Sequence, residues 1–392
     1  MKRGLNRYQK EVSMNNLEQL LQGVEVVWKS LGEICILSRG RVMSKEYLAE
    51  NAGDYPVYSS QTANNGEIGN IKTFDYDGEF ITWTTDGANA GTVFHRIGKF
   101  SITNVCGLVK VKDLCELNYR FLFYWLSIVA KKYVYSGMGN PKLMSNQITK
   151  IQIPIPPLAV QAEIVRILDN FTELQAELQA ELTARKKQYN YYRETLLSFE
   201  EGKVEWKTLG ETLVRTKGTN ITAGQMKELH KDGAPLKIFA GGKTIAFFYY
   251  DDIPPKDINR EPSIIVKSRG VIEFEYYDKP FSHKNEMWSY HSKDKNIDIK
   301  YVYYFLKIQE SYFQHIAGKM QMPQISIPDT DKFKIPIPSL EEQTRIVSIL
   351  DKFDMLTNSI TEGLPKEIAL RKKQYEYYRD KLLSFKLETT EK

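Results

Sequence analysis

The stretch RKKQYNYYRETLLSF at residues 185–199 indicates how the chain is organised, because nearly the same stretch occurs a second time. RKKQYEYYRDKLLSF occupies residues 371–385, and twelve of the fifteen positions are identical. In both copies the apolar and aromatic residues recur at intervals of three and four, which is typical of one face of a helix. A chain that repeats a segment almost half its length apart is built from two related halves.

Two further pairs of matching segments precede these stretches in the same order. VVWKSLGE at 26–33 matches VEWKTLGE at 204–211, and PIPPLAVQAEIVRILDNF at 154–171 matches PIPSLEEQTRIVSILDKF at 336–353. The three offsets are 178, 182 and 186 residues, so the halves differ only by small insertions. The order of the chain is therefore a variable block, a shared block, a second variable block and a second shared block.

The variable blocks are predicted to contain many strands. Residues 78–95 and 262–278 each have a strand, turn, strand pattern with glycine in the turn. One helical candidate follows in each block, at 118–134 and 300–316. The two blocks have similar lengths but hardly any sequence in common, which suggests that one fold serves two different targets.

The shared blocks are predicted to be long helices. From Pro157 the apolar stripe continues for some 43 residues, which would span roughly 65 Å as a helix. The second copy has four extra residues around Gly363 and Pro365, which predict a break or kink. Because a globular block separates the helices in sequence, we expect them to pair as an antiparallel coiled coil. A partner helix from another chain is the alternative. The predicted fold class is α+β, with two mixed α/β domains separated by two paired helices.

Composition is typical of a folded protein with packed cores. The 392 residues are 42% hydrophobic, and the net charge is only +5, which permits an anionic partner without requiring one. The three cysteines form no C-x-x-C pattern, which favours a reducing compartment. No apolar run is long enough for a membrane span, and residues 1–16 resemble a loose extension more than a signal peptide. We therefore expect a cytoplasmic protein.

Searches for catalytic and metal-binding patterns find nothing convincing. AGGKT at 240–244 resembles the end of a phosphate-binding loop, but Lys237 stands where that loop requires glycine. The five histidines show no metal-ligand spacing, and no G-x-S-x-G occurs. The sequence therefore predicts a binding protein with no catalytic residues and no metal site of its own.

The alternation of blocks, the PIPPLAVQAEIVRILD and PIPSLEEQTRIVSILD segments, the RKKQY-x-YYR repeats and VEWKTLGE resemble the specificity subunit of a type I restriction-modification enzyme. The likeness is greatest to the type IC-like group and covers about residues 17–386. It implies target-recognition domains at 17–156 and 203–338, conserved helical regions at 157–202 and 339–386, and a tail at 387–392.

The resemblance also implies partners. Each target-recognition domain would read one half of a split, asymmetric site in double-stranded DNA, and the coiled coil would set the gap. The helical regions would dock two modification subunits that methylate adenine with S-adenosylmethionine. Two restriction subunits, which use ATP and Mg, would complete the enzyme. The specificity subunit itself would hold no cofactor.

Reading DNA requires side chains that reach base edges together with basic groups near phosphates. The best candidates lie in polar loops, although any one of them could be an ordinary solvated loop residue. In the first half the candidates are Arg39, Arg41, Ser60, Gln61, Thr84, Thr85, Asn89, Asn140, Lys142 and Gln147. In the second half they are Lys217, Lys243, Lys267, Ser268, Arg269, Lys284, Asn285, Lys319, Gln321 and Gln324.

The repeated helical stretch has its own candidate surface. Its tyrosines at 189, 192, 375 and 378 are expected to face the helical seam. The other repeated positions lie partly or wholly off the seam. Residues of a merely solvated face would have diverged in sequence between the two copies. We expect the repeated positions to bind a repeated protein partner. They are Arg185, Lys186, Lys187, Gln188, Tyr191 and Arg193, with Arg371, Lys372, Lys373, Gln374, Tyr377 and Arg379.

Two other classes of function remain open at this point. A scaffold protein, with two folded modules on a coiled coil and no specific DNA binding, is the main alternative. A fused DNA methyltransferase and recognition chain is disfavoured because no cofactor-binding glycine turn is present. Salt-dependent duplex binding would separate a DNA reader from a scaffold.

Overall fold

A computed structural model describes residues 20–137, 139–200, 202–242, 244–318 and 322–386. The expected N-terminal extension, residues 1–16, and the tail, residues 387–392, lie outside these ranges. The chain divides into two compact units. Unit 1 comprises residues 1–177 and 370–392, and unit 2 comprises residues 178–369. Each unit therefore combines one variable block with parts of both shared blocks.

Unit 1 is built on a six-stranded sheet with the order β2-β7-β5-β6-β3-β4 and a separate antiparallel pair, β1 and β8. The strands are β1 Val27–Ser30, β2 Cys35–Arg39, β3 Ala52–Tyr58, β4 Glu67–Ile71, β5 Tyr76–Thr84, β6 Val93–Ile102, β7 Cys106–Val111 and β8 Gln152–Ile155. The helices are α1 Leu31–Ile34, α2 Lys45–Glu50, α3 Tyr119–Val129, α4 Ser145–Ile148 and the first half of α5 Leu158–Leu196.

Unit 2 contains a four-stranded sheet, β10-β16-β13-β14, a three-stranded sheet, β12-β11-β15, and the pair β17-β9. Its strands are β9 Glu205–Thr208, β10 Val214–Thr216, β11 Leu236–Phe239, β12 Ile245–Phe248, β13 Ser263–Lys267, β14 Glu273–Tyr277, β15 Phe281–His283, β16 Trp288–His291 and β17 Lys334–Ile337. Its helices are α6 Leu209–Thr212, α7 Ala223–Leu229, α8 Ile299–Ile308, α9 Glu310–Ile316, α10 Ile327–Asp331, α11 Leu340–Asn358 and the start of α12 Gly363–Leu382.

A buried glutamine joins the variable block to the long helix in each unit. Gln161 is fully buried, donates to the carbonyls of Pro156 (2.8 Å) and Glu116 (2.9 Å), and accepts from the backbone of Asn118 (2.9 Å). Asn118 in turn caps α3. Gln343 repeats these three bonds in unit 2, where the capping residue of α8 is Asp298.

The long helices pair antiparallel within each unit. In unit 1, Phe171 stacks on Tyr378 with 5.2 Å between ring centroids, and Gln175 donates to the carbonyl of Arg371. In unit 2, Tyr189 and Tyr192 both stack on Phe353, at 6.0 and 5.4 Å. These contacts confirm the expected seam. The aromatic repeats form the core of the helix pairs because their rings cover one another and exclude water.

The helices confirm one prediction from the sequence and differ from it in two details. The predicted break is confirmed: α11 ends at Asn358 and α12 begins at Gly363. Ile360, which continues the three-and-four apolar spacing of Ile349, Phe353 and Leu356, falls in this break and is 85% exposed. The single helix predicted at 300–316 is divided at Gln309, whose backbone leaves the helical region.

The strand, turn, strand predictions are confirmed, with β5 and β6 pairing antiparallel in unit 1 and β13 and β14 in unit 2. The α+β fold class is also confirmed. In the described part of the chain, no helix is both long and apolar enough to cross a membrane.

Candidate nucleic-acid interface

Four short segments of unit 1 meet at one end of its sheet, and hydrogen bonds fix them to one another. The turn after β5 is joined to the glycine-containing loop at 137–147 by two backbone bonds. Gly87 donates to the carbonyl of Pro141 (3.0 Å), and Leu143 donates to that of Thr85 (2.9 Å). The two loops that the sequence singled out separately therefore form one surface.

The other two segments are the end of β2 and the turn at 103–106. The hydroxyl of Thr85 donates to the carbonyl of Val105 (2.8 Å), which fastens the 103–106 turn. Arg39 donates to the carbonyl of Asn104 (3.0 Å) and to the hydroxyl of Thr85 (3.0 Å). We call these four segments the loop frame of unit 1: residues 39–41, 84–91, 103–106 and 139–147.

Unit 2 repeats three of these bonds with different residues. Gly270 donates to the carbonyl of Pro323 (2.9 Å), and Ile325 donates to that of Ser268 (3.0 Å). The hydroxyl of Ser268 donates to the carbonyl of Glu286 (2.7 Å), as Thr85 does to Val105. Thr219 forms a bridge with Lys284, as Arg41 does with Thr103, so the loop frame of unit 2 comprises residues 217–219, 267–270, 284–287 and 322–326.

A glycine that no other residue can replace follows the first basic residue of each frame. A Cβ on Gly40 would lie 1.9 Å from the carbonyl oxygen of Ile102, and one on Gly218 would lie 2.1 Å from that of His283. Arg39 and Lys217, which precede these glycines, therefore occupy equivalent places. The two frames share these bonds and this glycine, while the side chains that they carry differ.

Most predicted DNA-contacting residues with exposed side chains lie in these frames. Within unit 1 they are Arg41, Asn140 and Lys142, with Arg39 half-buried beside them. Within unit 2 they are Lys217, Arg269, Asn285 and Gln324. Lys243, Lys319 and Gln321 lie outside the described residues.

Four of the predicted DNA-contacting residues form bonds within the protein. Thr84, Thr85 and Ser268 are buried, so their side chains hold the loops and cannot reach a base edge in this conformation. Lys267 bonds to Glu273 (3.0 Å) and Glu275 (2.9 Å). Burial by itself lowers the pKa of Lys267, but the hydrogen bonds and charges of the two carboxylates outweigh it and raise the pKa above its usual value.

Other predicted residues also have partners within the protein. Arg41 pairs with Asp75 (3.1 Å), and Lys284 pairs with Glu286 (2.9 Å). Among the predicted amides, Gln61 donates to the carbonyl of Glu67, and Gln147 accepts from the backbone of Met144 (2.8 Å). Ser60 and Asn89 are half-buried. Exposed ion pairs contribute little to stability, so the Arg41–Asp75 pair adds little to the fold.

Sequence reasoning missed Asn104 in the unit 1 frame and did not list Asp86, although Asp86 lies between the predicted residues Thr85 and Asn89. Asp86 lies 3.7 Å from Arg39 and 3.9 Å from Lys142, and Asn104 is exposed beside them. A search for groups that attract phosphate passes over an acid such as Asp86. Its place in the turn between two predicted strands was the available signal.

The predicted partner-binding surface has the same internal geometry in both copies. Arg185 donates to Gln188 at 2.9 Å, and Arg371 donates to Gln374 at 2.9 Å. Two further contacts recur in both copies. The guanidinium carbon of an Arg lies over the ring of the first Tyr, 5.4 or 5.7 Å from its centroid, and two adjacent Tyr rings pack edge to face with centroids 5.6 or 5.5 Å apart. These are Arg193 with Tyr189, Arg379 with Tyr375, Tyr191 with Tyr192, and Tyr377 with Tyr378.

Between these ordered groups, Lys186, Lys187 and Tyr191 project into solvent, as do Lys372, Lys373 and Tyr377. In unit 2, Arg193 also lines an open groove of about 540 Å³ together with Phe199 and Trp206. The Nε of Arg193 is buried and has no hydrogen-bond partner among the described residues.

Comparison with known proteins identifies the family. A family model described as "Type I restriction modification DNA specificity domain" matches residues 23–185 and 233–370. The chain is 36% identical over 410 aligned positions to the Escherichia coli type I restriction enzyme EcoR124I/EcoR124II specificity subunit, covering 95% of this chain and 97% of that protein. It is 34% identical to a Mycoplasma pneumoniae protein named as a type I specificity subunit, covering 90% and 96%.

The fold agrees with a solved structure. The crystal structure of a type I restriction-modification system S subunit from M. genitalium superposes with a TM-score of 0.65 at 17% identity, covering 93% of this chain and 98% of that one. The chain belongs to the family of type I restriction-modification specificity subunits, whose role is DNA recognition and not catalysis.

Proposed function

We propose that each unit reads one half of a split, asymmetric DNA site through its loop frame. One observation carries this proposal: equivalent backbone bonds hold both frames, while the exposed side chains on them differ. A surface that served only to fold the protein, or to bind one repeated partner, would have kept its side chains, as the helical repeats have. A pair of readers for two different half-sites requires this combination of a constant frame and variable side chains.

The gap between half-sites would be set by the helices. We assign residues 17–156 and 203–338 to the target-recognition domains, and residues 157–202 and 339–386 to the helical regions. Because α5 is one uninterrupted helix of 39 residues, it can act as a rigid spacer. Inserting or deleting one helical turn near Ala180 should change the gap and leave both half-sites intact. An unchanged gap would contradict the spacer role.

The repeated helical surfaces would each dock one modification subunit. The exposed lysines and tyrosines recur in both copies, and Arg and Tyr are frequent anchors of protein interfaces. The partner would methylate adenine using S-adenosylmethionine. The proposal also includes restriction subunits that use ATP and Mg, a cytoplasmic location and membership of the type IC-like group. They rest on the likeness of the helical segments and on the cysteine usage.

Docking can be tested by charge reversal in each copy. Lys186→Glu with Lys187→Glu should remove one modification subunit from the purified complex, and the equivalent pair at 372 and 373 should remove the other. Lys256→Glu with Lys279→Glu, two exposed lysines outside the repeats, is the matched control. If both double variants kept two modification subunits, the assigned surface would be wrong.

The recognition role can be tested by coexpression with the modification subunit and mapping of methylated adenines in the host genome. The expected result is one bipartite, asymmetric motif with a fixed gap. Binding of that duplex should weaken steeply with salt, since phosphate contacts release counterions. A scaffold protein would produce neither a motif nor a salt-dependent, site-selective complex.

A further inference from the structure

One position in the loop frames carries opposite charge in the two units. In unit 1, Asp86 forms an antiparallel bridge with Lys142, and in unit 2, Arg269 forms the equivalent bridge with Gln324. Each is the residue before the glycine that donates to the second loop, Gly87 or Gly270. The two side chains therefore start from the same point of the same frame.

We propose that this position contacts a base edge, and that Arg269 donates to a guanine in the half-site of unit 2. The inference rests on the proposed function of the two frames. Arg is suited to this role because its guanidinium can donate two parallel bonds to the O6 and N7 of guanine in the major groove.

The unit 1 residue is the reason to choose a base over a phosphate. A carboxylate repels phosphates, so a position at the DNA backbone would not hold an acid. The same carboxylate can accept from the amino group of cytosine or adenine, which only the base edges present. Two cations near Asp86, Arg39 at 3.7 Å and Lys142 at 3.9 Å, offset its charge against the surrounding phosphates.

Arg269 is available, whereas two other basic residues of the unit 2 frame are engaged. Lys267 is held by two glutamates, and Lys284 pairs with Glu286. Arg269 is exposed and forms no ion pair with any residue that the structure describes. A free guanidinium therefore projects from a turn whose neighbours on both sides are hydrogen-bonded.

The turn that carries Arg269 is held firmly, which lowers the entropy lost on recognition. Ser268 is fixed through its carbonyl by Ile325 (3.0 Å) and through its hydroxyl to Glu286 (2.7 Å), and Gly270 is fixed to Pro323 (2.9 Å). Gly270 has φ +75°, which suits glycine, so the turn keeps its shape. The neutral amide of Gln324 beside Arg269 adds a donor and an acceptor, which also suits base edges.

The test uses the full chain assembled with its modification subunits. The wild-type half-sites are first mapped by methylation, and binding is then measured on duplexes that carry each single base-pair change. Arg269→Gln is compared with wild type, with Arg269→Lys, and with Arg260→Gln. Arg260 is an exposed arginine of unit 2 outside the loop frame.

We expect wild type to discriminate against loss of one G·C pair in one half-site by roughly 5- to 150-fold. Arg269→Gln should abolish discrimination at that pair alone, Arg269→Lys should weaken it, and Arg260→Gln should leave it unchanged. The half-site of unit 1 should be unaffected in every variant.

Two results would overturn the inference. One is an unchanged base profile in Arg269→Gln. The other is a uniform loss of affinity for all duplexes with a smaller salt dependence, which would mark a phosphate contact. Failure of the proposed function would look different, because the wild-type complex would then show no base preference in either half-site.

Discussion

The buried amide of Gln161 makes a specific prediction about how unit 1 is held to its helix. Replacing it with leucine keeps the side-chain size roughly constant but removes three hydrogen bonds, two donated and one accepted. The change leaves the Asn118 amide and the carbonyls of Pro156 and Glu116 without their partner. The side chain has no exposed surface, so water cannot replace these bonds without a rearrangement.

The expected cost follows from the number of bonds. Each contributes roughly 0.5 to 1.5 kcal/mol net, and three together give about 3 kcal/mol in the free energy of unfolding. For a unit of about 200 residues, each kcal/mol shifts the melting temperature by about 2 to 4 °C. Gln161→Leu should therefore lower the melting temperature of unit 1 by roughly 6 to 12 °C.

The assay is scanning calorimetry of the full chain, with Gln179→Leu as control. Gln179 lies on the same helix but is exposed, so its replacement should change stability by no more than about 0.5 kcal/mol. Gln343→Leu should repeat the loss in the transition of unit 2. If Gln161→Leu melted within about 2 °C of the control, the amide would not be the element that joins block and helix.

Further predictions concern pH and the backbone. His283 is fully buried and burial lowers its pKa, so the unfolded chain binds the proton more readily. The free energy of unfolding of unit 2 should therefore be fully retained above the unfolded pKa of about 6.5 and fall as the pH drops below it. Urea titrations at several pH values should show a weaker fall in His283→Asn than in wild type. Gly363→Ala should lower the melting temperature more than Gly202→Ala, because both have positive φ but only a Cβ at 363 would meet a carbonyl, that of Met355 at 2.4 Å. Equal losses in calorimetry would show that backbone conformation alone accounts for the effect.

The repeats in the sequence predicted most of the architecture. Apolar spacing located the long helices, and the matching segments showed that the chain is two halves. The four additional residues near Gly363 marked the break between α11 and α12. These features are local, since spacing, glycine and proline act on the backbone within a few residues.

The candidate interface was only partly predictable. Polar loops could be recognised from composition, and Arg39, Lys217, Arg269 and Gln324 were among the residues chosen. Composition could not show that Thr85 and Ser268 would be buried, because burial depends on what a loop packs against. It also could not show that Lys267 would be held by Glu273 and Glu275 across a strand pair.

The helices and the break between α11 and α12 could be predicted from the sequence because they follow from residues close together in the chain, and the duplication because matching segments can be compared directly. Which loops meet could not be predicted in this way. The bonds from Gly87 to Pro141 and from Gly270 to Pro323 join segments more than fifty residues apart. Such contacts depend on the register of whole sheets, which local spacing does not specify. For the same reason, the sequence could not show that Asp86 and Arg269, which carry opposite charges, occupy equivalent positions in the two loop frames.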